Sequence, residues 1–130
     1  MKLKLLAMAA LVLAAAGPVQ AQGSFPFDQE MLLEVKPMPG SRRVPMMEIQ
    51  SNGRAMVDLW CHSAVADVAI SGNEIKFTFL SAKAENCTPE RGALDEAMGK
   101  ALSEVTHWSR KNDIVTLTGP TTFHFRISTH

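Results

Sequence analysis

Charge of one sign is what this sequence lacks most plainly: 13 Lys+Arg stand against 13 Asp+Glu, with both signs scattered. Nucleic-acid binding needs a basic face to neutralise phosphates, and none is present. Cysteine is scarce, with only Cys61 and Cys87, and the close ligand pairs that structural zinc sites use are missing. No Gly-x-Ser-x-Gly elbow, His-Glu-x-x-His motif or phosphate-cradling glycine loop occurs. The acids fall singly along stretches that read as solvent faces, so no paired-carboxylate site is indicated. These absences point away from enzymes, and no catalytic residue, cofactor or metal is expected.

What is present begins with a targeting pattern. Lys2 and Lys4 precede an uncharged apolar run over residues 5–16, and Gly17-Pro18 then breaks the helix. Val19-Gln20-Ala21 supplies small residues at the two positions a signal peptidase reads. The run is shorter than the about 20 residues a membrane-spanning helix needs, and no later run approaches that length. Residues 1–21 are therefore expected to be a cleaved signal peptide. No cysteine near the cleavage point suggests a lipid anchor. The leader holds two of the 13 basic residues and no acid, so the remaining 109 residues carry 11 against 13. That length suits one domain, expected to be soluble and monomeric in the periplasm or beyond.

Both cysteines lie in this mature part. An oxidising compartment favours their pairing over two free buried thiols or half of a metal site. Closing the loop stabilises by roughly 3–4 kcal/mol in the chain-entropy account.

Residues 22–29 read as a flexible leader. Short strands are expected over 30–36, 44–50, 54–60, 64–70 and 74–80. Ser51-Asn52-Gly53 and Ser71-Gly72-Asn73 mark two hairpins. Ala55, Val57, Leu59 and Cys61 share one parity, which places Cys61 at the end of a core-facing row. Thr88-Pro89-Glu90 then starts a helix, with an N-cap hydroxyl, a proline at the first helical position and an acid in the first turn. Leu94, Met98, Ala101, Leu102 and Val105 give it one apolar stripe, and it is expected over about 90–105. Gly99 lies off the stripe. Strands return at 106–110, 114–118 and 121–128. The expected fold is α+β: an antiparallel, strongly curved or barrel-like β-sheet with one amphipathic α-helix.

In this order the residues resemble the META domain, the HslJ-like family of bacterial heat-shock proteins. The likeness runs through LWCHS at 59–63, VAISGNEIKF at 68–77, ENCTPE at 85–90, ALSEVTHW at 101–108 and IVTLTGPTTFHF at 114–125. His62 stands where family members often have Asn, so the chain looks like a divergent member. The resemblance implies a compact barrel-like domain over 30–130 in the cell envelope, with a stress- or envelope-related role and no assigned catalytic residues.

Other readings are weaker. Cys61 and His62 would need His107, His124 or His130 to complete a metal site, and exposed histidines are expected instead. Met31, Met38, Met46, Met47 and Met56 are expected mainly to fill the core. The expected function is non-enzymatic, by binding or by supporting envelope integrity, with an envelope protein or a small ligand as partner. The alternative is a small-ligand-binding or enzyme-inhibitor module of the periplasm. An apolar cavity left open by Phe77, Phe79, Phe123 and Phe125 would favour that alternative.

Overall fold

The computed structural model describes residues 23–83 and 86–128. The expected signal peptide lies outside the described residues, as do Glu85 and His130. Eight strands and one helix follow in the order β1 (Glu30–Leu33), β2 (Met46–Ile49), β3 (Arg54–Asp58), β4 (Ser63–Ser71), β5 (Glu74–Lys83), α1 (Pro89–Ser103), β6 (His107–Lys111), β7 (Ile114–Thr118) and β8 (Phe123–Ile127). Each strand pairs antiparallel with the next, and β8 returns to β1, with Met31 opposite Ile127 and Leu33 opposite Phe125. The sheet is a closed barrel.

Turn chemistry drives this meander. Gly53 takes φ 89° in the β2–β3 turn, a conformation open to glycine, and a Cβ there would lie 3.2 Å from Val68 O. Asn52 Oδ1 accepts from Arg54 N at 2.9 Å and completes the turn. At the β6–β7 turn Asn112 takes φ 56°, which asparagine tolerates better than most residues.

Strict alternation fills the interior. In β8, Phe123, Phe125 and Ile127 are buried while His124 and Arg126 face solvent. Met31, Met47, Ile49, Ala55, Val57, Phe77, Val115 and Leu117 meet them inside, each at most 2% exposed. An eight-stranded barrel is just wide enough for side chains to fill it, and here they do. Of the methionines, Met31 and Met47 are core filler, but Met56 is 55% exposed.

Two expectations need correction. The segment read as a flexible leader is anchored at Phe25 and Pro26, which are buried. Phe25 is buried edge-on against Trp108, ring centroids 5.1 Å apart, and Arg110 Nη1 donates to Ser24 O at 2.9 Å. Phe25 and Pro26 bury apolar area that would otherwise face water, while Phe27 stays 36% exposed with its ring centroid 5.0 Å from that of Phe25. The helix also departs from the expected stripe at its first position, while Val105 joins the core and Ala101 packs against it. Met98 and Leu102 are buried as expected, but Leu94 is 37% exposed and Asp95 takes the inward place.

The N-terminus of α1 follows the expected pattern, with Thr88 as N-cap accepting from Arg91 N at 3.3 Å and Pro89 in the first turn. Its far end meets the β7–β8 turn. A Cβ on Gly119 would lie 2.7 Å from Glu104 O, so only glycine allows that approach.

Candidate functional site

The β3–β4 turn and the start of α1 are tied together three times. The first tie is covalent: Cys61 and Cys87 form a disulfide, Cα atoms 6.0 Å apart and 26 residues apart in sequence. Both cysteines are half-buried at the barrel rim, because β3 ends at Asp58 and Cys61 lies in the turn beyond the core-facing row.

The second tie is a carboxylate. Asp95 is 4% exposed and accepts from Cys61 N at 3.1 Å and from His62 N at 2.6 Å. Its Oδ2 also lies 2.8 Å from His62 Nδ1. A buried carboxylate is costly unless its lone pairs are used, and here two backbone amides and a ring nitrogen use them. No buried side-chain nitrogen or oxygen among the described residues lacks a partner. The expectation that acids lie singly on solvent faces therefore fails at Asp95.

The third tie is the imidazole. A carboxylate accepts, so His62 Nδ1 donates to Asp95 Oδ2. The ring lies beside the disulfide, with Nε2 3.4 Å and Nδ1 3.6 Å from Cys87 Sγ. His62, expected to be exposed, is half-buried with 26% of its side chain accessible. His107 and His124 are exposed, as expected, and each bonds a neighbouring threonine hydroxyl. Cys61 Sγ, Cys87 Sγ and an Asp95 oxygen lie within 4.8 Å of one another, but the two sulfurs are bonded to each other.

Beside this knot a groove of about 1080 Å³ runs between α1 and β5. It exists because β5 separates from β6 almost at once: Glu74 opposite His107 is the single paired position. Trp108 N donates to Asn73 O at 2.9 Å and Ile75 N to Thr106 O at 3.0 Å. In an antiparallel strand these groups point to one side at every second residue, so Phe77 and Phe79 direct theirs into the groove. A bulge at Leu80 then bends the strand.

The opposite wall is the helix face carrying Gly92, Glu96, Gly99 and Ser103. A Cβ on Gly92 or Gly99 would meet nothing within 4 Å, so that wall is bare where they sit. Leu59, Ala64, Phe77 and Phe79 supply the apolar lining, and Lys76, Glu96 and Lys100 the charged one. The phenylalanine criterion thus gives a divided answer. Phe77, Phe123 and Phe125 join the core with Met98 and Leu102, while Phe79 is only partly buried and the open groove lies outside the barrel.

Asp95, its pairing with His62 and the groove were absent from the sequence expectations. The available signal was an acid at 95 in helical step with Met98 and Leu102, three and seven residues on. No helix among the described residues is long and apolar enough to cross a membrane.

The closed barrel with one helix recurs in solved structures. An NMR structure of a protein from Burkholderia xenovorans matches with a TM-score of 0.65 at 15% identity, covering 92% of this chain and all of that one. A second NMR structure matches with 0.60 at 15% identity, covering 77% of this chain and 89% of that one. A crystal structure of a DUF4847 family protein from Bacteroides vulgatus matches with 0.53 at 11% identity, covering 66% and 60%. At these identities the likeness concerns the fold alone. No curated protein matches the sequence. The META domain family model spans residues 29–127, from just before β1 to the end of β8, and with that match the chain belongs to the META domain family.

Proposed function

We propose that this META-family chain is an exported, non-enzymatic, monomeric binding domain that receives an extended polypeptide segment of an envelope protein along β5. The supporting observation is the edge of β5 past Ile75, which no described strand covers and which opens on the groove. A peptide laid there as an added strand would meet the backbone groups of Phe77 and Phe79. Its alternate side chains would face the bare helix wall at Gly92 and Gly99. The filled barrel interior argues against an enclosed small apolar ligand, which needs most of its surface buried. The buried Asp95 is engaged by Cys61 and His62, which argues against its serving as a general acid or base. Export is supported by the leader pattern and by the disulfide.

Two measurements test this. N-terminal sequencing of the exported protein should begin at Gln22, and a chain beginning at Met1 would remove the export step. Peptides selected from a random display library should shift the amide resonances of Phe77, Phe79, Gly92 and Gly99, and Gly99→Trp should abolish binding. Selected peptides that shift only other faces, or a fatty acid that fills the groove while no peptide binds, would overturn the reading.

A further inference from the structure

The Cys61–Cys87 disulfide sits in surroundings that treat its two sulfurs differently. Cys87 immediately precedes Thr88, the N-cap of α1, so its sulfur lies at the positive end of a helix of 15 residues. His62 Nε2 lies 3.4 Å from the same sulfur. Behind the imidazole stands Asp95, 4% exposed and 2.8 Å from Nδ1, which orients the ring and can balance a positive charge on it. The Asp95 carboxylate lies within 4.8 Å of both sulfurs, so its own charge does not distinguish them. The helix end and the imidazole do. Helix N-termini and neighbouring imidazoliums are the surroundings that favour a cysteine thiolate.

We propose that Cys61–Cys87 is a thiol-exchanging disulfide in which an incoming thiolate attacks Cys61 Sγ and Cys87 Sγ departs. The inference is independent of what the groove holds. In the first step the new sulfur–sulfur bond joins the attacking thiol to Cys61, the Cys61–Cys87 bond breaks, and its electron pair stays on Cys87. The proton that the incoming thiol gives up on becoming a thiolate ends on Cys87 Sγ, beside the imidazole that Asp95 orients. With a dithiol reductant, the second thiol attacks the mixed disulfide, releases Cys61 and closes the reductant's own disulfide. Two electrons and two protons pass in total from the dithiol to the cysteine pair. A better leaving thiolate leaves faster, so the sulfur that is attacked is the one opposite it. Both cysteines are half-buried rather than sealed, which leaves the bond within reach of a small thiol.

The test is the position of attack. The purified protein is incubated with reduced glutathione without denaturant, quenched in acid, alkylated and digested, and the mixed disulfide is located by mass spectrometry. Glutathione is expected on Cys61 at least about tenfold over Cys87, as a leaving-group difference of this kind gives. An even distribution, a majority on Cys87, or no adduct would overturn the proposal. His62→Ala should lower the ratio several-fold, leaving the smaller bias of the helix end. His62→Asn, which keeps an amide donor for Asp95, should do the same while its thermal unfolding stays near that of the parent. A ratio unchanged in both variants would also overturn it, because a merely structural histidine leaves the choice of sulfur untouched.

Discussion

Asp95 Oδ2 lies 2.8 Å from His62 Nδ1, and this pair joins the second turn of α1 to the β3–β4 turn at the edge of the groove, with the carboxylate buried and the imidazole half-buried. The same carboxylate takes the backbone amides of Cys61 and His62. One helix side chain thus sets the conformation of a turn more than 30 residues earlier in the chain.

Asp95→Ala is expected to destabilise the fold by about 2–4 kcal/mol, because it leaves two amides and a ring N–H unpaired in a buried site. Urea unfolding followed by circular dichroism measures it. A change below about 0.5 kcal/mol, the size of an ordinary surface substitution, would contradict the buried role.

Replacing Cys61 and Cys87 together by alanine should cost roughly 3–4 kcal/mol for a loop of this length. The oxidised parent should lose a similar amount on full reduction. If the double variant unfolds at the same urea concentration as the parent, the disulfide contributes no stability.

Gly119 in the β7–β8 turn and Gly99 inside α1 should respond to alanine with opposite sign. Gly119→Ala pushes a methyl against Glu104 O at 2.7 Å and Val105 Cα at 2.9 Å, both backbone, and should cost about 1–3 kcal/mol. Gly99→Ala enters open space inside a helix and should stabilise by about 0.5–1 kcal/mol. Paired denaturation curves decide, and equal shifts of one sign would refute the packing described at Gly119.

Phe25→Ala should destabilise by about 3 kcal/mol, since it empties a buried ring site against Trp108. Differential scanning calorimetry reads this directly. A melting temperature identical to that of the parent would mean that residues 23–29 are dispensable to the barrel.

Much of the fold was legible because it is encoded within a few residues. Gly53 and Asn112 set turns through their own backbone preferences, and Phe123, Phe125 and Ile127 announce an inward face by parity alone. Thr88-Pro89 marks the helix start for the same local reason. The leader was misjudged because Phe25 reads equally well as part of a loose tail or as a packed ring until its contact with Trp108 is known. Leu94 was assigned to the buried stripe because it is apolar, yet it is 37% exposed. Its neighbour Asp95 faces inward because Cys61 and His62 present donors there.

By itself the sequence determined the strand and turn order, the helix limits, the META likeness and the expectation that the two cysteines pair. Those features rest on backbone preference, two- and 3.6-residue periodicity and composition, all of which act locally. Only the tertiary structure decided that Asp95 rather than Leu94 faces inward, where β5 parts from β6, and that His62 stands between a carboxylate and a sulfur. These depend on groups brought together from distant parts of the chain, where a hydrogen bond to a buried carboxylate outweighs the preference of one leucine for the interior.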